Sequence, residues 1–143
     1  MFDWLANPNR FNRITEKIQP CILLIAIITL ISGLYFGLFD SPKDYQQGDA
    51  VRIMYVHVPS AWLASFLYFS LAISCIFYLV WKHPLADLVS SSIAPIGTLF
   101  SALTLVTGSL WGKPMWGTWW VWDARLTSML VLFFFYLGYI LLS

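Results

Sequence analysis

The chain has 143 residues, of which 59% are hydrophobic and 10% charged, with a formal net charge of +1. A soluble domain carries roughly 45–50% apolar and about 25% charged residues, and a chain this short cannot hide such an excess in a core of its own. The surplus must face lipid, and a net charge near zero excludes recruitment of nucleic acid or an acidic substrate by a long-range field.

About twenty apolar residues are needed to cross the hydrocarbon core as a helix. Four stretches meet or approach that length: 21–39, 61–81, 90–110 and 126–142. The predicted fold is therefore all-α, a polytopic membrane helical bundle with four transmembrane helices in a single membrane domain over 1–143. No small-residue cleavage site follows the first stretch, which predicts a retained span and no removed signal peptide. None of the four carries a formal charge in its middle, where charge costs most. Between them lie a loop over 40–60 containing Pro42, Gly48 and Pro59, a tight connection over 82–89, and a tryptophan-rich loop over 111–125. Cys21 and Cys75 sit inside apolar runs, form no CxxC pair and read as buried structural thiols. The chain also lacks CxxCH and is not itself a c-type cytochrome.

Arg10, Arg13, Lys17 and Lys82 fall on one side of this topology, and Lys43, Arg52, Lys113 and Arg125 on the other. The basic cluster just before the first span places the N-terminus in the cytoplasm. In either orientation the first and third loops share a side, because two spans separate them. His57 thus shares a compartment with the tryptophan-rich segment, and His83 lies opposite.

Five of the eight tryptophans fall between positions 111 and 122, in WGKPMWGTWWVWDARLTS. One or two would be an interfacial aromatic belt; five in a single connection ask for another account. Trp116, Trp119, Trp120 and Asp123 recur at i, i+3, i+4 and i+7, one face of a helix if that segment is helical. Gly112 and Gly117 each follow a tryptophan, allowing backbone or ligand to approach closely. Stiff amphipathic rings displayed together suit a flat apolar ligand with a polar edge, whether a porphyrin, a quinone or a lipid headgroup. Asp123 is placed either to cap the fourth helix or to serve the ligand. Arg125 is placed either to snorkel to headgroups or to pair with a ligand carboxylate, and Arg52 is a second such cation. His57 offers an imidazole on the same side, a common axial donor to haem iron in its neutral form.

The run WGKPMWGTWWVWDARLTSML, with YQQGDAVRIMYVHVPSAW upstream and APIGTLFSALTLVTGS between, closely resembles the haem-handling protein C of the cytochrome c maturation system. The resemblance runs from about residue 40 to the C-terminus, and the first span fits by position. The tryptophan signature is shared with haem lyases, but its form here, joined to YVHVP, is specific to the C protein. The resemblance implies that His57 ligates haem iron. It implies that Trp111, Trp116, Trp119, Trp120, Trp122 and Asp123 form the haem surface, with Arg52 and Arg125 as flanking basic positions. It implies haem (iron protoporphyrin IX) presented at the extracytoplasmic face of a cell inner membrane, or its mitochondrial equivalent, with the tryptophan-rich loop periplasmic. The implied partners are the haem chaperone E protein, the small D protein, and the A and B subunits of an ABC transporter. The implied role is transfer, not enzymatic catalysis. Members of the family have six spans and a second extracytoplasmic histidine. A chain of four spans ending at Ser143 is expected to be a C-terminally incomplete version without that second axial ligand, and so to hold haem more weakly. The competing expectations are a haem lyase acting on apocytochrome c and a non-haem membrane scaffold.

Overall fold

The computed structural model describes residues 8–143, with side chains described from residue 11 onward. The Arg10 side chain of the basic N-terminal cluster lies outside those described. All the regular secondary structure among them is helical: α1 (Pro8–Tyr35), which continues into a π-helical turn (Phe36–Asp40), α2 (Val51–Trp81), α3 (Pro84–Trp116) and α4 (Ala124–Leu142). All four helices are long and apolar enough to span a bilayer. The protein is a multi-pass helical membrane protein.

The chain divides into two compact units, Met1–Asp40 and Ser41–Ser143. In the first, α1 keeps Pro20 in its interior, where a membrane helix tolerates it because neighbouring groups re-satisfy the freed backbone. Cys21 is exposed on this helix, so the buried thiol expected there is not found. An apolar side chain needs no protein partner when lipid is the solvent. Cys75, by contrast, packs against the core of the second unit.

In the second unit α2 and α3 form an antiparallel hairpin. Lys82 adopts the left-handed region at φ 51° and its N–H returns to the Tyr78 carbonyl at 2.8 Å. Pro84 then opens α3 at a position where a missing N–H costs nothing. The buried face of α3 runs Ser90, Ala94, Gly97, Ser101, Thr104, Gly108 and Gly112, at steps of three and four. Small residues suit a membrane interface, since helices there associate by close packing without a hydrophobic drive. The hydroxyls on this face bond back into their own helix, as Ser90 does to the Ala86 carbonyl (2.7 Å) and Thr104 to that of Phe100 (2.7 Å).

Tyr136 fastens α4. Its fully buried ring crosses Gly97 where a Cβ would overlap it. Its hydroxyl donates to the Ala64 carbonyl of α2 at 2.8 Å, and Tyr68 meets it edge-to-face at 5.4 Å between centroids. One side chain thus ties three helices together.

The helices run past the apolar stretches on which the spans were predicted. α2 begins at Val51 and carries Pro59 inside it, so the first loop shrinks to 41–50. α3 continues through Trp111 to Trp116, so the tryptophan-rich loop is 117–123 and not 111–125. The reason is that the i→i−4 ladder is indifferent to hydropathy, whereas hydropathy marks only the part in hydrocarbon.

Candidate functional site

The first loop, the N-terminal turns of α2, the C-terminal turns of α3 and the start of α4 all lie at one end of the second unit. Asp44 organises the loop: its carboxylate accepts from the N–H groups of Gln46 and Gln47, both at 2.8 Å, and its backbone pairs with Gly48. Gly48 adopts φ +57°, which suits a residue without a side chain. The turn delivers the Gln47 Oε1 to the Trp111 indole N–H at 2.9 Å. Asp49, paired first with Lys43 at 2.7 Å, is held below the ordinary carboxylate range by that contact. Arg52 donates to the Ser41 carbonyl at 3.2 Å and lies 3.9 Å from the Asp49 carboxylate. Arg52 therefore serves the loop.

An open cavity of about 310 Å³ lies between the three helices here. Met54, His57 and Ala61 of α2 form one side, Thr104, Gly108, Trp111 and Trp116 of α3 the second, and Arg125, Leu126 and Met129 of α4 the third. His57 sits in the second turn of α2, within the helix and not before it. Its ring rests against Gly108, where an added Cβ would approach the imidazole Cε1 to 3.1 Å. Its Nδ1 lies 3.0 Å from the Thr107 hydroxyl. Trp111 and Trp116 meet edge-to-face at 5.1 Å between centroids, a geometry worth roughly 0.5–1.5 kcal/mol beyond burial. The Arg125 guanidinium lies 5.3 Å over the Trp116 ring. That cation–π contact adds about 0.5–1 kcal/mol at an exposed site and keeps the guanidinium at the cavity rim, with its Nε and Nη2 turned to the Asp123 carboxylate at 3.0 and 2.8 Å.

The remaining predicted residues do not line this cavity. α3 ends because Gly117 takes φ +77°, its N–H bonding to the Lys113 carbonyl at 3.0 Å while the Lys113 ammonium returns to the Gly117 carbonyl. The helical face proposed for Trp116, Trp119, Trp120 and Asp123 therefore does not form. The ordinary cost of a left-handed residue vanishes at glycine, and the chain turns there. Trp119 instead lines a shallow surface groove with Leu105 and Leu110 of α3, under the Lys113 ammonium. Trp120 and Trp122 meet edge-to-face at 5.4 Å, with Trp122 77% exposed.

Asp123 caps α4: Oδ1 accepts from the Leu126 N–H at 2.9 Å and Oδ2 pairs with Arg125 at 2.8 Å. The Leu126 N–H first, and Arg125 after it, hold this carboxylate below its ordinary range. Asp123 thus starts α4 and steadies the cation that reaches the cavity.

Sequence reasoning had no part for Met54, Thr104, Thr107, Gly108, Gln47 or Met129. A helix drawn through to Trp116 would have found two of them, Thr104 and Gly108, because they precede the predicted Trp111 at steps of four and three. Gln47 left no signal, since a loop's fold decides where its side chains go.

The fold and site together define a multi-span helical membrane protein with an indole-walled cavity that offers one imidazole and one guanidinium at a single end of the bundle. Across residues 1–143 the chain matches the family described as Heme exporter protein C, and it belongs to that family. It is 52% identical over 134 residues to the Heme exporter protein C of Bradyrhizobium diazoefficiens, covering 94% of this chain and 51% of that one. The Escherichia coli K12 protein of the same name is 48% identical over 138 residues, covering 96% of this chain and 56% of that one. A "Putative cytochrome c biosynthesis ccmC-like mitochondrial protein" of Marchantia polymorpha is 57% identical over 106 residues, covering 74% and 46%. The chain spans about half the length of these curated relatives.

Proposed function

We propose that this protein holds haem against the cavity between α2, α3 and α4 and passes it to a membrane-anchored haem chaperone during cytochrome c maturation. The observation that supports this most is that His57, Trp111, Trp116 and Arg125 come from three helices to one cavity. The names of the relatives, haem exporters and a cytochrome c biosynthesis protein, point the same way.

The residues fit the ligand. Among the described residues no group of three or more metal-binding side chains exists, so a bare ion has no cage. A porphyrin brings its own four equatorial nitrogens, and one imidazole then suffices as an axial donor. Haem supplies the iron and the conjugated plane. His57 would give a nitrogen to the iron, Trp111 and Trp116 an apolar face, and Arg125 would meet a propionate with its charge and the N–H groups that Asp123 leaves free. A cavity of about 310 Å³ is at the small end of ligand sites, roughly 300–1,000 Å³. It grips part of the macrocycle and leaves the rest open, as a protein that must give its ligand away requires. Trp119, Trp120 and Trp122 extend the apolar surface beyond the cavity toward a receiving protein. Asp123 and Arg52 act at one remove, by fixing Arg125 and the loop that carries Gln47.

In this reading the tryptophan-rich end faces the periplasm, or its mitochondrial equivalent, and the N-terminus is cytoplasmic. The partners are the chaperone E protein, the small D protein and the A and B subunits of the ABC transporter, and no bond-making step is assigned to the protein. The test is haem loading in mild detergent. A Soret band that is lost in His57→Ala, with haem passing to the chaperone and not to apocytochrome, supports the proposal. Protein that cannot be loaded would leave a scaffold, and a covalent apocytochrome adduct would make it a lyase.

A further inference from the structure

A neutral imidazole has one nitrogen with a proton and one with a lone pair, and only the latter can bind iron. In this fold the choice is made by α3. His57 Nδ1 lies 3.0 Å from the Thr107 Oγ1. That hydroxyl has a single proton, and its shortest contact is with an acceptor: Oγ1 lies 2.7 Å from the Leu103 carbonyl, one helical turn back, and 3.3 Å from that of Thr104. A proton turned to these carbonyls leaves a lone pair of the oxygen toward His57. In that arrangement Nδ1 carries the ring proton and donates it.

The imidazole also lines the cavity, and the Thr104 backbone, on the same stretch of α3, is a second hydrogen-bond partner for the ring. Gly108, next in sequence to Thr107, lets the ring lie close against α3. Thr107 itself is buried, where water does not compete for the bond.

We infer that Thr107 is a positioning residue for haem: its hydroxyl, with its proton spent on the Leu103 carbonyl, holds His57 as the Nδ1–H tautomer and so reserves Nε2 for iron. The inference rests on His57 being the haem ligand. A ligand histidine is commonly oriented by a partner on its other nitrogen, often a carboxylate or a backbone carbonyl. Here a back-bonded threonine takes that part. Unlike a carboxylate it brings no charge, so the imidazole is oriented without being made a strongly basic, tightly holding ligand. That suits a site that must release what it binds.

The decisive measurement is the tautomer of His57 in the haem-free, ¹⁵N-histidine-labelled protein in detergent, with His83→Ala used for assignment. Nδ1–H is expected in the wild type and in Thr107→Ser, and a mixture gaining Nε2–H in the near-isosteric Thr107→Val. With haem loaded, Thr107→Val is expected to lose haem about tenfold faster than wild type, in line with other outer partners of ligand histidines, with Thr107→Ser restoring retention. An Nε2–H wild type overturns the inference whether or not any variant folds. So does a Thr107→Val protein with the wild-type tautomer and haem-loss rate. If His57→Ala binds haem as well as the wild type, the haem reading itself fails and the inference falls with it, whereas an Nε2–H tautomer overturns the inference alone.

Discussion

The two histidines of this chain stand at opposite ends of the α2–α3 hairpin, each beside a cavity of nearly the same size, about 310 Å³ at His57 and about 330 Å³ at His83. At His83 the neighbours are Ser74, Phe77, Leu85, Ala86 and Val89, a lining without an indole or a cation. The residue itself precedes Pro84 and offers its carbonyl to the Ala86 N–H at 3.0 Å. It serves to begin a helix. At His57 a third helix, α4, closes the space and brings Arg125 and Met129, while α3 brings two edge-to-face indoles. An imidazole beside a void is thus not a site. What distinguishes the His57 end is a third element carrying complementary chemistry, and Tyr136 holds that element in place.

The sharpest way to break this contrast is a pair of variants. His57→Ala is expected to abolish the Soret band of the haem-loaded protein, and His83→Ala to leave it unchanged. Equal losses would mean that the two ends are not chemically distinct.

Next in size is a change remote from both ends. Gly97→Ala sets a methyl group against the Tyr136 ring, and overpacking of this kind costs roughly 1–3 kcal/mol. A lower melting temperature in detergent should come with weaker haem retention, because α4 carries one wall of the cavity. Wild-type stability in Gly97→Ala would show that Tyr136 does not fasten α4.

A smaller effect separates two cations near the tryptophans. Arg125→Gln is expected to weaken haem retention about tenfold, the equivalent of one charge-assisted hydrogen bond. Lys113→Gln should change it little, since Lys113 is turned to the Gly117 carbonyl and lies over Trp119. Equal effects in a haem titration would replace a propionate partner with a diffuse field.

The smallest effect is on the cap of α4. The Asp123 carboxyl is held below its ordinary value, chiefly by the Leu126 N–H. Its contribution to folding is therefore present above the unfolded value and is lost as pH falls through the folded one. The hydrogen-exchange protection of the Leu126 amide should drop in acid below the usual carboxylate range. Asp123→Asn, which still caps, should remove that pH dependence. An unchanged acid response in Asp123→Asn would place the titrating group elsewhere.

Much of this was legible in the residues. Hydropathy marked all four membrane-spanning helices, because lipid demands apolar side chains around a self-satisfied backbone. Counting spans put His57 and the tryptophan cluster on one side, and the Gln47–Trp111 hydrogen bond shows the loops meeting there. His57, Trp111, Trp116 and Arg125 were named from composition and motif, and the fold gathers these four.

The tertiary structure decided which tryptophans stand with the histidine. Position along the chain could not separate Trp116 from Trp119, three residues on, because the separation is made by Gly117 turning the backbone between them. It also decided that Gly97 must be small and that Thr107 faces His57 across fifty positions. Hydropathy is a property of each residue against its solvent, and so it is written in the sequence. Contact between side chains on different helices depends on how those helices are rotated and set against one another, and packing alone fixes that.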